Sequence, residues 1–127
     1  MKKLSILVMC MTVGLVLAND PVKNLKSYKV VKTEIINVSP FCISIAKGDY
    51  EMVKKMVELG SEVNKFSEGM TPLMYAARYN RLEIIKLLVA NGAKINLKNT
   101  KGYTAMKYAE ISGAKEAMAL ISELKKK

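Results

Sequence analysis

The chain has 127 residues, 21 of them basic and 11 acidic, for a formal net charge of +10, and it contains no histidine. Without histidine there is no Ser-His-Asp or Cys-His nucleophilic machinery, the commonest general base is missing, and most zinc sites are excluded. Arg78 and Arg81 are the only arginines, and phosphate recognition favours the bidentate guanidinium fork, so a lysine-dominated surface is a poor nucleic-acid reader.

Met1-Lys2-Lys3 gives a positive start, and Leu4 to Leu17 is apolar apart from Ser5, Thr12 and Gly14. A run of about fourteen apolar residues is short for a membrane crossing, which takes roughly 20. Val16-Leu17-Ala18 supplies the modest side chains a signal peptidase reads, so residues 1–18 are expected to be a cleaved signal peptide. An uncleaved anchor is the alternative. A lipoprotein is disfavoured, because bulky Met9 precedes Cys10. Loss of Lys2 and Lys3 leaves 19 basic residues against 11 acidic, a mature charge of +8. Cys10 leaves as well, and Cys42 then has no partner for an internal disulfide; it reads as a small buried hydrophobe.

Residues 19–38 carry no repeat pattern. Lys23, Lys26, Lys29 and Lys32 are three apart, yet Val30-Val31 and Ile35-Ile36 are β-branched and favour extended chain. The segment is expected to be a tether and N-terminal cap, its last part, about Glu34 to Val38, covering the first repeated unit.

From Ser39 the chain repeats itself at an offset of 32 to 33 residues. Pro40 to Glu51 aligns with Pro72 to Glu83 and with Ala105 to Glu116. Gly60-Ser61-Glu62-Val63-Asn64 returns as Gly92-Ala93-Lys94-Ile95-Asn96, and Gly69-Met70-Thr71 as Gly102-Tyr103-Thr104. Within a unit, Thr71 stands where a helix needs an N-cap and Pro72 where a missing N–H costs nothing. A first helix to about Tyr79 is followed by a tight break at Asn80-Arg81, with Gly48 and Gly113 at matching places. A second helix places Ile84, Ile85, Leu87 and Leu88 on one buried stripe. Gly92 ends it, and a hairpin-like turn at Gly69 or Gly102 leads into the next unit. Neither helix reaches the roughly 12–15 residues that are marginal alone in water, so the units must stack, and about three are the usual minimum.

These residues resemble the ankyrin repeat. Thr71-Pro72-Leu73-Met74-Tyr75-Ala76-Ala77 is similar to its Thr-Pro-Leu-His-x-Ala signature, with Met74 in place of histidine, and Leu82 to Asn96 follows its second helix and exit. The first unit has Ser39 for threonine, and the third has Ala105 for proline. The resemblance runs from about Ser39 to Leu124. It implies an all-α fold, a short solenoid of three ankyrin-type helix–turn–helix repeats at about residues 39–70, 71–103 and 104–127, linked by hairpin-like turns.

The remaining motifs point away from catalysis. No phosphate-binding glycine loop is present. The closest acidic pairs, Asp49/Glu51 and Glu58/Glu62, read as solvated helix ends, and Asn37-Val38-Ser39 is discounted as a glycosylation sequon because Pro40 follows. Met52, Met56, Met70, Met74, Met106 and Met118 fall at or near core positions and read as core filling in preference to a metal or redox site. No catalytic residue, cofactor or metal is expected.

In the ankyrin family, partners meet the concave side, made of the hairpin tips and the exposed side of each first helix. By position that surface is Ala46 and Lys47, then Ser67, Glu68, Met70, Arg78 and Tyr79, then Thr100, Lys101, Tyr103, Ile111 and Ser112. Lys47, Met70, Arg78, Tyr79, Lys101 and Tyr103 are the expected partner-binding residues, with Met70 expected to be exposed. Tyr75 and Tyr108 share one repeat position and read as packing elements. The expected function is a non-catalytic protein–protein interaction module of the bacterial cell envelope, periplasmic or secreted. It would be a monomer that binds another protein, not nucleic acid, with no integral membrane segment after cleavage. The alternative is a polycation resting on acidic envelope polymers or lipid head groups.

Overall fold

Ser39, Thr71 and Thr104 each turn a hydroxyl onto the start of a helix, accepting the backbone N–H of Cys42, Met74 and Lys107 at 3.2, 3.2 and 3.3 Å. These caps satisfy donors that have no partner inside the helix. They set the first helix of each repeat in a computed structural model that describes residues 37–127. The expected signal peptide and all of the expected tether except Asn37 and Val38 lie outside the described residues. Val38 itself packs against the core.

The helices are α1 Pro40–Lys47, α2 Tyr50–Glu58, α3 Pro72–Arg78, α4 Leu82–Ala90, α5 Ala105–Ser112 and α6 Lys115–Lys125. Each first helix packs on its own second helix. Along the stack, α1 packs on α3 and α3 on α5, while α2 packs on α4 and α4 on α6. No strand is present among the described residues beyond one isolated antiparallel bridge between Ser67 and Met70. This is the expected all-α stack of three helix pairs.

Met74 takes an active part in its helix start. Its sulfur accepts the Thr71 N–H at 3.3 Å while Thr71 Oγ1 accepts the Met74 N–H, so a thioether completes a reciprocal cap usually closed by a carboxylate or amide. Between the paired helices the backbone turns left-handed, at Gly48 (φ 78°), Asn80 (φ 56°) and Gly113 (φ 70°). At Gly48 a second constraint applies: a Cβ there would stand 3.0 Å from the Arg81 guanidinium. That guanidinium reaches back from the second repeat, and its Nε and Nη2 donate to the Ala46 carbonyl at 3.0 and 2.7 Å, closing the end of α1.

The switch in offset from 32 to 33 residues has a local cause. The first hairpin is a two-residue loop, with Glu68 (φ 49°) and Gly69 (φ 76°) between Ser67 and Met70, whose backbones bond both ways at 2.8 and 3.2 Å. Positive φ at both central residues is the preferred two-residue hairpin geometry. The second hairpin spends three residues, Thr100 to Gly102, between Asn99 and Tyr103, with the Asn99 N–H on the Tyr103 carbonyl at 3.0 Å. The extra residue is therefore absorbed at the tip, and the helices stay in register.

The core runs the length of the stack, from Phe41, Cys42 and Ile45 through Leu73, Met74, Ile85 and Leu88 to Ala109, Ala117 and Ile121. The expected stripe on α4 needs one correction. Ile84, Ile85 and Leu88 are buried, whereas Leu87 is only half-buried at the stripe's edge. Asn side chains tie the repeats together in sequence-distant pairs. Asn64 bonds the Gly92 carbonyl and the Lys94 N–H, at 3.0 and 2.8 Å. Asn80 accepts the Ala117 N–H at 3.0 Å and so caps α6, whose own Ala114 cannot.

The two ends of the stack differ. In the last repeat Lys107 and Glu110, paired at 3.9 Å, stand where the middle repeat has buried Met74 and Ala77. In the first, Met52 is 43% exposed where its counterparts Ile84 and Ala117 are 2% and 0%. The C-terminal end is thus finished with polar groups, as the end of a solenoid requires.

Candidate interaction surface

The tips and the first helices are joined by side chains, and this builds one continuous side of the molecule. The Tyr75 hydroxyl on α3 donates to the Ser67 carbonyl at 2.8 Å, and the Tyr108 hydroxyl on α5 accepts from Asn99 Nδ2 at 2.8 Å. Both rings are buried, as expected for packing elements. Burial, with Cys42 and Glu68 adding to it, pushes the Tyr75 hydroxyl up to about 12, so it stays protonated further into alkaline pH than a free tyrosine.

At the last turn of α3, Arg78 is exposed and its guanidinium carbon lies 5.6 Å from the centre of the neighbouring Tyr79 ring, itself 43% exposed. This is a cation–π arrangement. Beneath it Arg78 Nη1 approaches the Met70 sulfur at 3.9 Å. Met70 is 6% exposed, which corrects the expectation of an exposed apolar contact. It is part of the buried core, so it supports Arg78 from below and is not itself presented to a partner. Ser67, also expected on the surface, is buried; its hydroxyl accepts the Ser39 N–H at 2.8 Å.

Lys47 is exposed as the last residue of α1, and Lys101 is exposed at the second tip. Tyr103 is half-buried, its ring edge-on to Tyr108 with centroids 5.7 Å apart at 75°. The structure therefore brings Arg78 against both Tyr79 and Met70. Lys47, Lys101 and Tyr103 lie at other points of the same tip-and-helix side. Ile111, one repeat on from Arg78, is 59% exposed.

Cys42 is buried, and burial raises its thiol above the usual range against the opposing hydrogen bonds of Ser39 and Ser67. A buried, protonated thiol is a poor nucleophile, in keeping with its reading as core. Among the described residues no three of Cys, Asp and Glu gather as a metal site would require, and no helix there is long and apolar enough to cross a membrane.

A family model described as ankyrin repeats in three copies matches residues 17–99 and 41–127. The chain belongs to the ankyrin-repeat family. The first match begins upstream of Ser39, in residues outside the described part. Among curated relatives, the chain is similar to a putative ankyrin repeat protein of Rickettsia bellii, 34% identical over 68% of this chain and 56% of that one. It is also similar to Dauer abnormal formation protein 25 of Caenorhabditis elegans, 36% identical over 60% of this chain and 20% of the relative. A glycerophosphocholine phosphodiesterase of Schizosaccharomyces pombe matches at 37% identity over 50% of this chain but only 6% of its own length. The matched stretch thus spans between 6% and 56% of these relatives. Ankyrin repeats generally mediate protein–protein interaction and are generally not catalytic, and the tip-and-helix side of this ankyrin-repeat chain carries exposed charge and aromatic surface.

Proposed function

We propose that this protein is an exported, monomeric interaction module of the bacterial cell envelope that binds a partner protein through the side formed by its hairpin tips and first helices, the concave side in the family. The observation that carries this is the Arg78–Tyr79 pair, exposed, mutually oriented and backed by buried Met70. Arginine and tyrosine are enriched at binding hot spots, and a side chain already held in place has less freedom to lose on binding. Export rests on the basic start, the apolar run to Leu17 and the residues before Asn19. N-terminal sequencing of the exported protein should therefore begin at Asn19. A product retaining Met1 would make it membrane-anchored instead.

The binding test compares faces. The partner is captured with the tagged protein from its native envelope and titrated against variants. Arg78→Ala and Tyr79→Ala should each weaken binding by about 2 kcal/mol, near thirtyfold, while changing stability by less than about 1 kcal/mol. Tyr103 is a poorer choice, because its ring packs on Tyr108 and its loss would disturb the fold. Glu58→Ala and Lys86→Ala, on the exposed sides of α2 and α4, should bind normally. The reverse pattern would overturn the assignment. A polycation resting on acidic polymers would instead respond to neither set and would detach steeply with added salt.

A further inference from the structure

We infer that the segment recognised on this side is an acidic stretch of polypeptide, one of its carboxylates seated on the Arg78 guanidinium and a nearby apolar side chain covering Ile111. This rests on the reading that the tips and first helices form the binding side. The charge pattern of the side supports it. The ion pairs among the described residues are Lys86–Glu83 at 3.2 Å and Lys107–Glu110 at 3.9 Å, so Arg78, Lys47 and Lys101 have no carboxylate partner there. Glu68 is the acidic side chain at the tips and Glu110, beside Ile111, is already engaged by Lys107. The side therefore presents net positive charge to an incoming chain.

Arg78 is also prepared for a planar acceptor. The Tyr79 ring lies against its guanidinium carbon and the Met70 sulfur against Nη1 alone, and neither neighbour is a full hydrogen-bond acceptor. The remaining donors form the fork that meets a carboxylate bidentately. A polyphosphate or a lipid head group would satisfy that fork equally well. Neither would cover the apolar surface beside it, where Ile111 is 59% and Tyr79 43% exposed. A polypeptide supplies both chemistries at once.

Repeat register fixes the spacing. Arg78 and Ile111 occupy the same place in α3 and α5, which pack directly on each other. Packed helix axes lie about 8–10 Å apart. An extended chain rises about 3.3 Å per residue, so the acidic and apolar residues should be roughly three apart.

Random dodecapeptides displayed on phage, selected on the full chain, test this directly. Selected peptides are then titrated by fluorescence anisotropy against the unaltered protein and Arg78→Ala, Arg78→Lys and Ile111→Ser variants. Vesicles of phosphatidylglycerol serve as a second probe. The expected result is a consensus pairing Asp or Glu with an apolar residue, binding that falls about tenfold or more in Arg78→Ala, incomplete rescue by lysine, and a separate loss in Ile111→Ser. A consensus without acid, or binding indifferent to Arg78→Ala, overturns the inference. If such non-acidic peptides are still lost in Tyr79→Ala, the binding side stands and only its chemistry was misassigned. If all selected peptides ignore the substitutions on this side and respond to those on α2 and α4, both readings fall. Vesicle binding stronger than that of any peptide and unchanged in Ile111→Ser would assign the side to lipid and overturn the inference.

Discussion

Leu88→Ala should destabilise the protein by about 2–5 kcal/mol, the range for deleting most of a large side chain from a packed core. Leu88 is fully buried on α4, and α4 packs on α3 within its repeat, on α2 before it and on α6 after it. The surrounding helices cannot collapse onto the vacated space without disturbing both neighbouring repeats. In a solenoid each repeat is stabilised by its neighbours, and three are close to the minimum. Loss at the centre should therefore melt the whole stack, seen as one transition in a denaturant titration followed by helix content. With typical stabilities of about 5–15 kcal/mol the margin left would be small. Leu87→Ala, at the half-buried edge, should cost clearly less. A Leu88→Ala loss under about 1 kcal/mol, or two separated transitions, would show that the middle repeat does not join the ends.

The contrast between Leu87 and Leu88 also shows how much of the core is legible in the sequence. Helical spacing identifies the stripe but cannot say which edge the next repeat covers. The repeat alignment holds the signal: Leu87 falls opposite Lys55, and Leu88 opposite Met56 and Ile121, so a position that tolerates lysine is an edge. The caps and the left-handed turns are legible because each arises from local chemistry repeated three times, and the packing role of Tyr75 and Tyr108 because they share one repeat position. Met70 is not. It is buried in the core, whereas its counterpart one repeat on, Tyr103, remains half-exposed, so the repeat alignment does not give its burial. The ties made by Arg81 and Asn80 escape for a related reason: each serves a helix end 35 or 37 residues away, in a repeat where the matching position holds a different residue.

Asn99 is the other place where one side chain should matter far beyond its size. Its Oδ1 accepts the Lys101 and Tyr103 N–H groups at 3.1 and 3.0 Å, which shapes the three-residue tip. Its Nδ2 donates to the Gly69 carbonyl at 2.9 Å, tying this tip to the preceding one, and to the Tyr108 hydroxyl at 2.8 Å. All four contacts are made by one amide. A hydrogen bond contributes about 1 kcal/mol net, and a stranded polar group costs about 1–3 kcal/mol. Asn99 is half-exposed and water can reach part of the site, so Asn99→Ala should cost about 2–3 kcal/mol in denaturant titration. Asn99→Asp separates the two halves of the role. It keeps the acceptor that builds the tip but replaces the amide donor, and so should break the tie to Gly69 while sparing the turn. The alanine variant should also lose order at Lys101 and Tyr103, visible as faster amide exchange there, whereas the aspartate variant should retain protection at both. If alanine and aspartate prove equally mild, below about 0.5 kcal/mol, the tips are held by backbone bonds alone. The second hairpin would then be an independent loop, not part of one rigid binding side.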